Sequence, residues 1–523
     1  MDTAKPGLKE NVFQKKNTWR IIFGILLLIL TVFAVKPAFQ NDTFYIIKLG
    51  EQILNNGIDR NDYWAWSAQI YNTYPHFLFN IILAVLYRAF GLTGVYVFVL
   101  VSGYALALSM YFMMEKVYDR AVFEKSISLY PLIGMFISLI VIFAYPVFIL
   151  ARPQTLTYLL WLWEAWFILC FLNTAKKRYA IGIVLIAWIC ALIHATAWYF
   201  TFILFLPFLA AAYLTRLVIF LDSKKIRLTS FLTGDKLILS NDDECRNVNK
   251  LWIWLIASYA TGLLTPTRLC YTSIFKASSG TTVIYLNEHQ PIVLAYFKWL
   301  LAAILLFVVL LAFFKIKCRL DLLFLYAGTL VMTILSKRHL GLFLFIAWFA
   351  MFYLVFGALR KIKEDFRLKI MNTVIPLLAV LALGVTGLAN NNLTDFTYYD
   401  SAFVSDEAID YLKENYDVQN LRLYNEYSSG AYMLFRDVPV FIDSRVNEYT
   451  KEFDPDLERD VFNDYINVMK LQGNWKEVIE YYDFDGYYVL KDRPIVYVLE
   501  RDSNYEKVWE NNNMVIIMKV RDE

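Results

Sequence analysis

The four histidines of the chain each lie where a long apolar segment begins or ends. Ionisable side chains at the edge of a hydrocarbon layer are costly unless they face a cavity or a charged partner. Carboxylates and cations accompany them at similar places. A carboxylate can take a proton from an attacking group and a cation can stabilise an anionic leaving group, so together these residue types could perform a group transfer. The candidate site residues are Asp42, Asp62, His76, Arg152, His194, Glu288, His289, Lys337, Arg338 and His339.

Each candidate also has an interpretation without chemistry. Asp42 and Asp62 could cap the starts of helices, and Arg152 could extend its charge towards lipid headgroups. A single histidine near a helix end is more often an interfacial or core residue than a ligand. Independent caps and anchors would fall on both faces of a membrane, whereas the order of the segments predicts that all the candidates emerge on one face. That shared side favours a common site.

The composition predicts a membrane protein. A chain of 523 residues that is 59% hydrophobic and 17% aromatic has more apolar surface than one or two soluble cores could bury. Lys and Arg number 50 against 47 Asp and Glu, a net charge of +3, so no nucleic-acid partner is expected. The five cysteines have no metal-ligand spacing and none follows Cys318, so we interpret them as small buried hydrophobic residues.

Apolar segments of a length suited to a bilayer fill the chain up to residue 390. The loop 39–75 between the first two spans starts with an amphipathic helix pattern that ends at Asn55-Asn56-Gly57. After residue 390 the apolar runs shorten to strand length and alternate with helical patterns, which predicts a small α/β domain. The candidate spans are about 20–38, 76–90, 95–114, 128–150, 154–172, 179–195, 197–221, 251–266, 292–314, 320–337, 340–358 and 369–388.

Basic clusters in the short loops set the expected orientation. Clusters at 176–178, 224–227, 315–319 and 360–363 are expected in the cytoplasm with the N-terminus, which places the candidate residues and the tail outside. Twelve crossings would return the tail to the cytoplasm, so an odd number is needed. Either 76–90 does not cross, or 128–150 hides a broken pair of helices. The prediction is therefore 11–13 transmembrane helices in residues 1–390, with a first outer loop at 39–75 and an extracytoplasmic α/β domain at 391–523.

An ordered set of short motifs resembles a known family. The motifs are Asp42 after the first helix, "LGEQILNNGIDRNDYW" leading to Asp62, Pro75-His76, "ARPQTLTYLL", "LIHATAWY", "NEHQP" and "SKRHLGLF", followed in the tail by "LYNEYSSGAYMLF" and "VPVFIDSR". Their order is similar to that of bacterial polytopic membrane proteins of the GT-C glycosyltransferase superfamily, distantly similar to protein O-mannosyltransferases and aminoarabinose transferases. The residue after Glu288 is commonly Trp in that family and is His289 here, and His194 lacks the usual preceding Asn and following Gly.

The resemblance implies a GT-C-like fold and an inverting transfer of a sugar from a polyprenyl-phosphate donor to an extracytoplasmic acceptor, at the cell membrane. It implies a catalytic carboxylate in the first outer loop, which by position is Asp42, with Asp62 as the second candidate. Arg152, Lys337, Arg338 and a protonated histidine are suited to stabilising the leaving phosphate. No cofactor is expected. A divalent cation is compatible with the carboxylates, but no ligand spacing requires one.

Two further functions stay open at the level of sequence. A non-enzymatic transporter or flippase of a glycolipid or polysaccharide would place polar residues through the depth of the bundle and usually has internal repeats. No convincing repeat is present, and Glu164 is the exception among largely uncharged span centres. A binding module on a membrane anchor would not need so many helices. The transferase predicts one cavity lined by Asp42, Asp62, Arg152, His194, Glu288 and Arg338.

Overall fold

The computed structural model describes residues 6–120, 130–224, 237–276, 287–313, 316–360 and 397–520. Within these ranges a bundle of apolar helices is followed by a small α/β domain with a four-stranded sheet. The predicted fold class is thereby confirmed. The predicted span at 369–388 and the predicted domain boundary at 390 lie outside the described residues.

Several helices of the bundle have the length and composition to cross a membrane. In the described ranges these long stretches are Asn17–Ala34, Phe77–Lys116, Pro153–Thr174, Ala195–Ser223 and Lys337–Ala358. The chain is therefore a multi-pass membrane protein by the character of its helices. In order, the helices are α1 (Pro6–Ala34), α2 (Asn41–Asn56), α3 (Phe77–Arg120), α4 (Tyr130–Phe148), α5 (Pro153–Thr174), α6 (Lys177–Ile193), α7 (Phe200–Ile203), α8 (Leu206–Ser223), α9 (Asp242–Ala260), α10 (Leu269–Lys276), α11 (Lys298–Ala312), α12 (Leu320–Leu335), α13 (Leu340–Leu342) and, after a π-helical turn at Phe343–Ala347, α14 (Trp348–Arg360).

Helix α3 is two helices joined by a sharp kink at Gly91. The φ of Gly91 is 63°, a conformation that costs glycine little and other residues more. A Cβ built on Gly94 would lie only 2.9 Å from the carbonyl oxygen of Leu86, eight residues earlier, so the chain turns back on itself here. Just after the kink, the Thr93 hydroxyl lies 2.7 Å from the hydroxyl of Tyr398 in the tail. The segment 77–90 therefore ends close to the tail.

The part of α3 after the kink runs antiparallel along α1. Near its start, the hydroxyl of Tyr96 donates to the Val35 carbonyl at 3.1 Å; near its end, Glu115 pairs with Arg20 at 2.5 Å. It thus starts at the tail end of the bundle and finishes at the opposite end. Because the segment before the kink starts and stops at the tail end, the structure favours the arrangement in which 76–90 does not cross. The structure does not support the other possibility, that 128–150 hides a broken pair of helices, because residues 130–148 form one helix.

The α/β domain has the strand order β3-β4-β6-β5. β3 pairs parallel with β4, and the other neighbours are antiparallel. A separate short parallel pair, β1 with β2, joins two loops of the bundle. The strands are β1 (Leu237–Ile238), β2 (Cys318–Arg319), β3 (Leu423–Asn425), β4 (Gly486–Leu490), β5 (Tyr505–Glu510) and β6 (Met514–Lys519), and the helices of the domain are α15 (Asp406–Asn415), α16 (Tyr427–Phe435), α17 (Val461–Lys470), α18 (Trp475–Tyr482) and α19 (Pro494–Leu499).

The first loop and the α/β domain are joined by backbone hydrogen bonds. The amide of Trp66 donates to the Val440 carbonyl at 3.0 Å, and the amide of Val440 donates to the Trp64 carbonyl at 2.9 Å. The Ser67 hydroxyl adds a bond of 2.6 Å to the Phe441 carbonyl. This pairing satisfies backbone polar groups of the loop that are shielded from water. It also fixes the α/β domain against the first loop of the bundle.

Candidate active site

A polar cleft of about 1130 Å³ lies between the first loop, the helix ends and the α/β domain. It continues into an aromatic pocket of about 810 Å³, walled by Tyr158, Trp161, Tyr199 and Phe200. Of the predicted site residues, Asp42, His76, Arg152, Glu288, His289 and Arg338 line the cleft, whereas His194 and His339 line the pocket together with His289 and Arg338.

An apolar groove of about 600 Å³ lies next to the pocket, between α8 and α12. Phe200 and Leu342 border both spaces. One of the groove residues, Leu206, is 56% exposed, so the groove reaches the outer surface of the bundle. The three spaces therefore adjoin one another in the order polar cleft, aromatic pocket and apolar groove.

Asp42 is held in place by its helix and by a cation. It lies in the first turn of α2, where the helix dipole favours a negative charge, and its carboxylate forms an ion pair with Arg152. Arg152 is fixed because it immediately precedes α5, which starts with proline. The neighbouring Asn41 donates to the Tyr427 carbonyl at 2.9 Å, so the tail also positions the start of α2.

Arg338 is a cation without a close anionic partner. It lies in the short turn Lys337–His339 between α12 and α13 and borders both the cleft and the pocket. No carboxylate of the described residues lies within 4.0 Å of its guanidinium. Lys337 borders neither space; its amide donates to the Gln290 carbonyl at 3.1 Å and ties the turn to the loop of Glu288.

Glu288 faces the two arginines from that loop. Burial raises the pKa of Glu288, but the positive charges of Arg338 and Arg152 outweigh burial and hold the pKa below its usual value. The carboxylate is therefore ionised at neutral pH. Its Oε1 lies 3.7 Å from Nε2 of His289.

Burial favours the neutral form of the histidines, in place of the protonated histidine expected from the resemblance. The rings of His76 and His194 lie 5.2 Å apart, edge to face. Burial lowers the pKa of His76 to about 3, with the charge of Arg338 acting in the same direction. Burial likewise holds the pKa of His194 well below its usual value. These rings can therefore exchange hydrogen bonds with a ligand, whereas the arginines supply the positive charge.

Asp62 is not among the residues that line the cleft. Its carboxylate, 1% exposed, accepts from the guanidinium of Arg445 at 2.5 Å and from the amides of Trp64 and Ala65 at 3.1 and 2.7 Å. Arg445 also pairs with Asp443 at 2.5 Å. The structure therefore places Asp62 between the first loop and the tail, behind Arg445 and outside the lining of the cleft.

Glu448 is a cleft residue that the sequence did not single out. Its Oε1 accepts from the amide and the hydroxyl of Thr73 at 3.2 and 2.6 Å, and its Oε2 has no hydrogen-bond partner among the described residues. Burial raises the pKa of Glu448 to about 7, although Arg445 lowers it. A carboxyl with this pKa can exchange a proton near neutral pH. Only the loop–tail contact reveals it, since nothing local distinguishes it from other acidic residues of the tail.

No set of three or more His, Cys, Asp and Glu side chains in the described ranges is grouped in a way that would hold a metal ion. The carboxylates of the cleft instead lie beside Arg152 in the case of Asp42, His289 in the case of Glu288 and the Thr73 hydroxyl in the case of Glu448. The arrangement can bind an anion at Arg338, a polar ligand in the pocket and an apolar chain in the groove.

Comparison with known proteins places the fold. No family model and no curated protein matches the chain. Among solved structures it is similar to the oligosaccharyltransferase of Archaeoglobus fulgidus. For the apo form the TM-score is 0.56 at 11% identity, covering 91% of this chain and 69% of that one. For the complex with Zn and sulfate the TM-score is 0.50 at 12% identity, covering 90% and 68%. At these identities the likeness is one of fold alone.

Proposed function

We propose that this chain is a membrane glycosyltransferase that transfers a sugar from a polyprenyl-phosphate donor to an acceptor outside the cytoplasm. The observation that carries the proposal is the position of Arg338, a cation with no carboxylate within 4.0 Å among the described residues. It borders both the polar cleft and the aromatic pocket, and the apolar groove lies next to that pocket. A polyprenyl-phosphate sugar combines the three matching parts: an anionic phosphate, a sugar and an apolar chain. The oligosaccharyltransferase that shares the fold lends support.

In this proposal the phosphate lies at Arg338, with the polyprenyl chain in the groove. A guanidinium offers planar paired donors for phosphate oxygens, and its charge stabilises the phosphate as it leaves. An acceptor hydroxyl attacks the anomeric carbon from the opposite side, so the new carbon–oxygen bond forms as the bond to the phosphate breaks and the configuration inverts. The electron pair of the broken bond leaves with polyprenyl phosphate.

Asp42 takes the proton of the acceptor hydroxyl. A carboxylate can accept a proton, and Asp42 meets Arg152 in an ion pair within the cleft. Glu288 holds the two arginines in position through its negative charge. In this proposal the protein lies in the cell membrane with its N-terminus in the cytoplasm and residues 391–523 outside. Its partners are the lipid-linked donor, the bilayer and an acceptor such as a cell-envelope polymer, lipid or protein.

The test is transfer from radiolabelled polyprenyl-phosphate sugars in membranes containing the full chain. Asp42→Asn is expected to lower the rate about 100-fold or more, as loss of a catalytic base does. Arg338→Gln is expected to lower it by a similar factor. Arg88→Gln, an exposed cation on the segment before the kink, is the matched control and should retain transfer. Full transfer by Asp42→Asn would remove the proposed base, and full transfer by Arg338→Gln would remove the phosphate site.

One observation favours the alternative of a transporter or flippase. Glu164 lies in the middle of α5 with 0% exposure, and neither of its carboxylate oxygens has a hydrogen-bond partner in the described part of the chain. An ionisable residue at such depth often belongs to an ion or proton path. The residue borders none of the three spaces described above, which weighs against a transport path through them.

A further inference from the structure

Two residues that line the aromatic pocket carry buried polar atoms without a partner. Within the described residues, Nε2 of His194 and Oε1 of Gln154 form no hydrogen bond, and both residues line the pocket. His194 is 2% exposed. Buried polar atoms in folded proteins are nearly always satisfied, so their convergence on one pocket indicates a polar ligand.

The hydrogen bonds of Thr157 decide what His194 offers that ligand. The Thr157 hydroxyl donates to the Pro153 carbonyl at 2.8 Å, and its oxygen lies 3.0 Å from Nδ1 of His194. The hydroxyl has one proton, and a carbonyl oxygen can only accept it. Nδ1 therefore donates to Thr157 and carries the ring proton, and Nε2 of the neutral ring is an acceptor. With Oε1 of Gln154, the residues of the pocket offer two acceptors that lack a donor.

The charges of the pocket lining further restrict the chemical class of ligand that it can bind. The lining contains the cation Arg338 and no Asp or Glu, so a ligand carrying an ammonium group would meet repulsion without compensation. A carboxylate would face the lone pairs of the acceptors. Hydroxyl groups, which can donate to both acceptors without carrying a charge, fit the two polar atoms. The rings of Trp161 and Phe200, with centroids 5.2 Å apart, offer the aromatic surface against which the C–H face of a sugar packs.

We propose that the aromatic pocket is the donor-sugar subsite and selects a neutral sugar, one of whose hydroxyl groups donates to Nε2 of His194 in the tautomer that Thr157 fixes. This inference rests on the proposed function for the identity of the donor. His194 touches the sugar, and Thr157 is a positioning residue that acts through it. The charge of Arg338 disfavours amino sugars, and the two acceptor atoms disfavour the carboxylate of uronic acids. The exact neutral sugar is set by which hydroxyl reaches Nε2.

The test measures binding without any acceptor, so it does not depend on transfer. The full chain in lipid nanodiscs is titrated with polyprenyl phosphate alone and with polyprenyl phosphate carrying glucose, mannose, galactose, glucosamine or glucuronic acid, with tryptophan fluorescence as the readout. At least one neutral sugar is expected to bind about tenfold more tightly than polyprenyl phosphate alone, and the charged sugars are expected to gain nothing. Equal or tighter binding of the charged sugars, or no gain from any sugar, would overturn the proposal.

Monodeoxy analogues of the best neutral sugar then locate the hydrogen bond. One analogue is expected to bind about tenfold more weakly to the wild type, the scale of one lost hydrogen bond. In Thr157→Val this difference in affinity should shrink, because the imidazole can now carry its proton on Nε2 instead of Nδ1. Thr157→Ser should preserve the difference, because the serine hydroxyl can still accept from Nδ1. An unchanged difference in Thr157→Val would contradict the role of the tautomer. If binding follows the expected pattern and no transfer occurs with any acceptor, the subsite stands and the transferase does not.

Discussion

Replacing Glu448 with glutamine tests whether this buried carboxyl of the cleft binds a proton near neutral pH. Burial raises the pKa of this carboxyl from 4.5 to about 7 in the folded protein. Between these two values the folded chain holds more protons than the unfolded chain, so the free energy of unfolding falls as the pH rises through this range. At 1.36 kcal/mol per unit of pKa, the loss amounts to about 3 kcal/mol by pH 8. Glutamine resembles the protonated carboxyl, and its oxygen can still accept from Thr73.

The variant Glu448→Gln should therefore match the wild type at pH 5 and exceed its stability by up to about 3 kcal/mol at pH 8. The measurement is the apparent melting temperature of both proteins in detergent across pH 5 to 8.5. Glu452→Gln is the matched control, because Glu452 is exposed four residues later in the same segment, and it should follow the wild type. Parallel profiles for Glu448→Gln and the wild type would refute the buried, proton-binding carboxyl.

Three further outcomes are expected. Asp62→Asn should lower the free energy of unfolding by about 3 kcal/mol because it breaks a buried ion pair, while transfer per folded molecule is retained; a stable but inactive variant would make Asp62 catalytic instead. Glu164→Gln should raise the melting temperature, since it removes an ionisable group buried without partners in the described residues, and should leave transfer unchanged; abolished function would favour an ion path. Gly50→Ala should reduce the yield of folded protein, because the new Cβ would lie 2.0 Å from the Asn80 carbonyl oxygen, whereas Gly328→Ala, with nothing within 4 Å, should fold normally.

Local patterns predicted much of the fold. The amphipathic pattern after the first span became α2, and its predicted end at Gly57 is the C-cap, with a φ of 77°. The separate runs 76–90 and 95–114 correctly marked a break near Gly91. What they could not show was the direction of the chain after the break, because apolar composition is the same whether a helix crosses the membrane or lies at its surface. Contacts with the tail decide that question.

The sequence predicted those parts of the site that depend only on the side of the membrane on which the ends of the spans emerge. Placing the ends of the spans on one side was enough to expect Asp42, Arg152 and Arg338 near one another. The roles of Asp62 and Glu448 depend instead on pairing between the first loop and the tail, across 383 residues in the case of Asp62 and Arg445. Such a pairing leaves no periodic pattern or spacing, so an acidic residue that braces the fold looks like one that does chemistry.

The bonds from Asn41 to α16 constrain how the protein is made. Oδ1 of Asn41 accepts from the Ala431 amide at 3.1 Å, and its Nδ2 donates to the Tyr427 carbonyl, 386 residues further along the chain. During synthesis the start of α2 emerges early, yet its anchoring partners are translated only after the whole bundle. A ribosome stalled before codon 427 would leave a membrane-inserted chain with an unfinished cleft. The start of α2 thus gains these partners only after α16 has been translated, and termination before α16 should yield inserted but inactive protein.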